Sequence, residues 1–262
     1  MAKKEIRQDE IIAAIADMWK LLTDEQRILV ADHLEVRRYK KNQQIYAEGE
    51  TPSHLLCLLE GKVKIYREGV GGRCQIMRVM KPVEYFAYRA WFAEESFVTA
   101  AAAFEASTLC AIPMSIIAQL VAENNKLAMF FIKLLAIDLG ISDERTVNLT
   151  QKHIRGRLAE SLIFLKETYG LEEDGATISI FLSREDLANL SNMTTSNAIR
   201  TLSNFAAEKL IAIDGRKIKI MDEEELKKIS RIGSFNLATQ TKRRASLTMR
   251  VFFIFIGIHS ST

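Results

Sequence analysis

The stretch LSREDLANLSNMTTSNAIRTLSNFAAEKLI, residues 182–211, decides how the second half of the chain folds. It divides into two amphipathic segments joined by a tight turn. Ser183, with Asp186 three residues on, reads as a capping-box-like helix start. Leu187, Ala188 and Leu190 give the first segment an apolar face with room for a close neighbour. Asn192 falls where the chain must turn sharply, and asparagine tolerates left-handed backbone better than other non-glycine residues. Thr194 then suits the N-cap of a second helix whose buried face is Ala198, Leu202 and Phe205. That register turns Thr195, Ser196, Asn197 and Arg200 outward.

Two helices at this spacing predict a helix-turn-helix, whose second helix enters the major groove by its N-terminal part. Short polar side chains there can meet phosphates and base edges; asparagine pairs with adenine and arginine with guanine. The exposed amides of a helix start also favour phosphate. The following LIAIDGRKIKIMD (210–222) reads as two short strands around an Asp-Gly turn, which makes a winged helix with Arg216 and Lys217 at the wing tip. The predicted DNA-binding residues are therefore Ser183, Thr194, Thr195, Ser196, Asn197, Arg200, Arg216 and Lys217. The competing reading, a plain N-cap on a solvated helix, fits any one of them but not the two-helix spacing with its wing.

Working outward, the chain of 262 residues has room for two domains, and 48% hydrophobic with 26% charged residues excludes wholesale disorder. A net charge of +3 is small, so a nucleic-acid partner must be met by a local patch. Cys57, Cys74 and Cys110 are scattered and never form a C-x-x-C pair, which fits a reducing compartment and argues against a disulfide framework or zinc ribbon. The N-terminus has no signal-type apolar core, and VFFIFIGI (251–258) is too short to span a bilayer, so a cytoplasmic protein without membrane partners is expected. No Gly-rich phosphate loop, metal-ligand spacing or nucleophile motif is present. No catalytic residues, no metal and no enzymatic activity are expected.

Upstream, residues 9–34 carry helical periodicity at Ile12, Ile15, Trp19 and Leu22. Then short alternating runs are cut by Gly49, Pro52, Gly61, Gly69, Gly71 and Gly72, with further strands at 97–104 and 107–112, which suggests a small β-barrel or jelly roll. Pro113 suits a helix start. Leu120, Leu127, Leu134 and Ile141 follow at seven-residue spacing, with Phe130 and Ile137 adjoining, which predicts a dimerisation helix over 113–149. A helix at roughly 151–169 and a short strand within EEDGATISIFL lead back to the opening stretch.

This order resembles the cyclic-AMP receptor protein/FNR (Crp/Fnr) family of bacterial transcription regulators over about residues 10–230. In the barrel the resemblance rests on IYAEGETPSHLLCLLEGKVKIY (45–66), and in the C-terminal domain on residues 182–211 with the DGRKIKIMDEEEL that follows. It implies an α+β fold: an N-terminal helix with a cyclic-nucleotide-binding-like β-barrel (1–112), a dimerisation helix (113–149), a winged helix-turn-helix (150–233) and a tail (234–262). It also implies a homodimer on a palindromic operator, contact with RNA polymerase through the loop Glu172–Ala176, and base contacts from Thr195, Ser196 and Arg200. The family's usual Arg-Glu pair is absent at the first two of these, so its best-known operator does not carry over.

The ligand pocket departs further. Cyclic-nucleotide binders carry Gly-Glu in a GdfiGE-type turn and Arg-Ser on the next strand. The matching stretch VEYFAYRAWF has Ala87 and Tyr88 at the first pair, and Val98 and Thr99 stand at the second. Arg89 is nearby but faces the other way. A buried phosphate without arginine would leave a charge unpaired, so weak or no cyclic-AMP binding is expected and the effector is unknown. No N-terminal cysteines support an iron–sulfur sensor; the alternatives are a cyclic-nucleotide-responsive member, a haem-responsive one using His33, His54 or His153, or an effector-independent DNA-binding dimer. The tail, basic and then sharply apolar, reads as a membrane-surface peptide or an extension with no defined structure, with VFFIFIGI in it aggregation-prone.

Overall fold

The computed structural model describes residues 8–69, 72 and 74–231; the tail lies outside the described residues. The N-terminal helical region is three short helices, α1 (Gln8–Ala14), α2 (Ala16–Trp19) and α3 (Asp24–His33). α3 opens on a complete capping box: the Thr23 side chain accepts from the Gln26 N–H and the Gln26 side chain from the Thr23 N–H.

The β-domain is two antiparallel four-stranded sheets rather than a closed barrel, a pairing compatible with a jelly roll. One has the order β1 (Glu35–Tyr39), β8 (Ser107–Pro113), β3 (His54–Glu60), β6 (Tyr85–Phe86). The other runs β2 (Gln44–Tyr46), β7 (Ala100–Ala103), β4 (Val63–Glu68), β5 (Cys74–Met80). The two-residue period of β3 sorts its unbroken apolar run. Leu56 and Leu58 pack between the sheets with Val63, Leu109 and Ala111, while Leu55 and Cys57 face the helices with Cys110 and Ile112. Cys57 and Cys110 are register partners, both buried, and burial pushes both thiols up, Cys110 to about 12. Gly61 is required where β3 turns into β4: its φ is 91°, and a Cβ there would sit 2.4 Å from the Ser107 hydroxyl.

The segment 113–149 differs from the single dimerisation helix expected of it. It is two helices, α5 (Met114–Glu123) and α6 (Asn125–Gln151), broken at Asn124. The Asn124 side chain accepts from the Lys126 and Leu127 amides and donates to the Leu21 carbonyl and Gln26 Oε1, both at 2.9 Å. A helix start anchored to α3 thus interrupts the heptad. Leu120 and Leu127 are fully buried against the β-domain, which removes them from a partner's reach. Phe130 and Leu134 pack at the edge of the same cluster, while Ile137 and Ile141 are half exposed at 49% and 50%. The apolar side chains α6 leaves most open are Met129, Ile132 and Leu139.

The C-terminal domain holds α7 (Ile154–Tyr169), α8 (Arg184–Leu190), α9 (Thr195–Ala207), the hairpin β9 (Ile211–Asp214) and β10 (Lys217–Ile220), and α10 (Glu223–Arg231). The strand expected within 172–182 is reduced to isolated bridges, Leu171 to Ile178 and Thr177 to Lys219. The Asp174 carboxylate takes the Thr177 amide and hydroxyl and the Ala176 amide, so this segment spends its polar groups on a tight turn; those bonds hold the carboxyl well below the usual range. Ile76, Val79 and Phe104 of the β-domain join the core of this domain.

Candidate nucleic-acid interface

The α8–α9 turn is built as its residues require. Ser183 caps α8, accepting from the Asp186 amide at 2.9 Å and donating to the Asp186 carboxylate at 2.7 Å, so its hydroxyl is committed. Asn192 adopts φ 50°, the left-handed conformation the tight turn needs. Thr194 caps α9 by accepting from the Asn197 amide at 3.3 Å. Ala198, Thr201, Leu202 and Phe205 face inward. The residues α9 leaves open are Thr195, Ser196, Ile199, Arg200, Ser203, Asn204 and Ala207.

Beside these stands Asn197, another of the expected DNA-binding residues. It is half-buried, and its Oδ1 accepts from Arg200 Nη2 at 2.9 Å, one turn along. It orients the arginine and leaves the remaining guanidinium donors outward. At the wing, Gly215 (φ 54°) and Arg216 form a two-residue turn with Arg216 and Lys217 exposed; the Lys217 ammonium lies 5.6 Å from the Phe181 ring centroid. Arg184, which sequence reasoning did not single out, braces that turn by donating to the Gly215 carbonyl at 2.7 Å, and its Nη1 is buried without a partner. Arg157 of α7 donates to the Asn192 carbonyl at 3.0 Å and holds the inter-helix turn.

The interface faces its own β-domain on one side. Gly69, Gly72, Cys74 and Gln75 share a cleft of about 510 Å³ with Asn192, Thr194 and Thr195. Lys64 of β4 pairs with Asp186 of α8 at 2.7 Å. Arg145 of α6 donates to the carbonyls of Met77 and Ile76 on β5 and, at 3.5 Å, of Leu190 on α8, tying three elements together.

In the β-domain the expected effector residues do not converge on a charged pocket. Val98 is 43% exposed and Thr99 half-buried; Arg89 is exposed and donates to Glu95 at 3.3 Å. Tyr46 and Phe97 stack at 3.9 Å between the sheets, and burial pushes the Tyr46 hydroxyl up to about 12. Tyr88 is buried and donates to Asp138 of α6 at 3.0 Å, and Asp138 also holds Arg78 of β5, whose Nη1 lies at 2.9 Å. Val83 and Ala87, at the positions matching the two glycines of the GdfiGE-type turn, have left-handed backbone, at φ 73° and 70°. The histidines do not gather: His33 bonds the Leu29 carbonyl, His54 meets Arg37 and Ser53, and His153 is the residue before α7. Among the described residues no group of three His, Cys, Asp or Glu side chains could hold a metal ion.

A winged helix-turn-helix joined by a long helix to a two-sheet domain defines the class: a DNA-binding transcription regulator. Residues 36–124 match the cyclic nucleotide-binding domain and residues 156–229 the Crp-like helix-turn-helix domain. The chain belongs to the Crp/Fnr family of transcription regulators, which are not enzymes. It is 23% identical over 224 residues to the CRP-like cAMP-activated global transcriptional regulator of Mycobacterium tuberculosis, covering 85% of this chain and 100% of that one. In fold it is similar to a crp/fnr-family regulator from Eubacterium rectale (TM-score 0.70, 20% identity, 82% of this chain and 97% of that one). It is likewise similar to FixK2 from Bradyrhizobium japonicum (TM-score 0.68, 20% identity, 75% and 96%). Among the described residues no helix is long and apolar enough to cross a membrane.

Proposed function

We propose that the chain acts as a homodimer in the cytoplasm, reads a palindromic operator with the exposed start of α9, and answers to an effector other than cyclic AMP. The observation that carries this reading is the outward face Thr195–Ser196–Arg200, with Arg200 oriented by Asn197 and the wing residues Arg216 and Lys217 exposed. The dimer seam assigned here is the α6 stripe Met129, Ile132, Ala136 and Leu139, spaced three, four and three residues apart, flanked by Ile137 and Ile141. The turn Glu172–Ala176 is assigned the RNA polymerase contact.

Against cyclic AMP, Val98 and Thr99 supply no cation, Arg78 is committed to Asp138, and Arg89 pairs with Glu95. The Arg78–Asp138–Tyr88 network, in which protein side chains alone join β5 to α6, favours a second reading in which the β-domain is a scaffold and DNA binding needs no effector. Capture of genomic fragments by the purified chain tests the main reading: a shared sequence is enriched, and Arg200→Ala loses that preference while keeping its fold. Equal binding of the parent chain to all sequences would overturn it. Calorimetric titration with cyclic AMP is expected to give no saturable heat.

A further inference from the structure

The open face of α9 carries one side chain that neither solvation nor phosphate contact explains. Ile199 is 48% exposed, lies between Ser196 and Arg200, and belongs to none of the buried clusters. Isoleucine is stiff at χ1 and a weaker helix former than the straight-chain residues, so an exposed helix position gains nothing from it in folding. It has no hydrogen-bonding group for a phosphate. Its neighbours on the face are hydroxyls and a guanidinium, so Ile199 is an isolated apolar knob on a polar reading surface. In a major groove the apolar group available to such a knob is the C5-methyl of thymine. Arg200 is the longer side chain and is held by Asn197, so the shorter Ile199 covers a neighbouring spot of the same face.

We infer that Ile199 is a specificity-determining residue that packs on a thymine methyl in each operator half-site, close to the base pair read by Arg200. The inference rests on α9 being the recognition helix. The test removes only that methyl. The full chain first selects duplexes from a random library, and each thymine of the enriched sequence is then replaced singly by uracil. One thymine per half-site is expected to show about three- to fivefold weaker binding as uracil, the worth of one buried methyl group. Ile199→Ser, whose fold is checked by circular dichroism, is expected to bind the thymine and uracil versions of that position equally, and Ile199→Val to keep the discrimination. Uniform insensitivity of the parent chain to uracil, or a thymine preference that persists in Ile199→Ser, would overturn the assignment while leaving sequence-specific binding intact. Failure to enrich any sequence would overturn the recognition helix itself.

Discussion

Lys64 of the β-domain and Asp186 of the helix-turn-helix, 122 residues apart, form a 2.7 Å ion pair with both side chains about four-fifths buried. Asp186 is at the same time the acid of the Ser183 cap, so one carboxylate serves both the helix start and the domain contact. Lys64→Met leaves the cap intact but strips Asp186 of its cation, which costs about 2 kcal/mol at a partly buried site. Limited proteolysis at the α6–α7 junction is expected to quicken in this variant, with the far-ultraviolet circular dichroism unchanged. Unaltered cleavage would mean the domains are held by apolar packing alone.

Val83 and Ala87 keep a left-handed backbone that suits glycine, and Val83 is pinned there by its N–H donating to the Leu58 carbonyl at 2.7 Å. A β-branched residue in this region is strained, and Val83 is 48% exposed, so little packing is lost on removing it. Val83→Gly is expected to raise stability by about 1 kcal/mol, the relieved strain exceeding the entropy glycine adds to the unfolded chain. A lowered denaturation midpoint would contradict this.

On α6 the two kinds of leucine separate. Leu139, 64% exposed, is expected to convert a dimer to a folded monomer as Leu139→Glu in sedimentation velocity. Leu127, fully buried, is expected to lose about 2–5 kcal/mol as Leu127→Ala without changing the assembly of the folded fraction. The reverse pattern would restore the uninterrupted heptad as the seam.

His54 accepts from Arg37 at 2.8 Å and meets the Ser53 hydroxyl at 2.8 Å; burial first, then the Arg37 charge, holds its pKa below the ordinary 6.5. The folded chain therefore binds this proton less readily than the unfolded chain. The contribution is complete above pH 6.5 and is lost as pH falls through that region. Denaturation midpoints compared at about pH 7.5 and about pH 5.5 should fall more for the parent chain than for His54→Gln. Equal falls would contradict the assignment.

The caps were legible residue by residue: Ser183, Asn192 and Thr194 each take the conformation their chemistry favours, because those preferences are local. The strands of the β-domain were legible from turns and β-branched runs. The break at Asn124 was not, since its cause is α3, a hundred residues earlier, and a heptad count cannot see a side chain bonded to Leu21 and Gln26. A second register, 129–132–136–139, was present in the same helix and would have found the open stripe. Asn197 reads as a DNA-binding residue in sequence; its bond to Arg200 was not legible, because that depends on rotamers, not spacing. The Lys64–Asp186 pair carries no sequence signal at all.

The most direct test of the account is hydroxyl-radical footprinting of the full chain on the duplex it selects. Two equal protected patches about one helical turn apart, both lost in Arg200→Ala, are the predicted result, since each protomer presents one α9 to one half-site. A single asymmetric patch, or a pattern unchanged by Arg200→Ala, would contradict it.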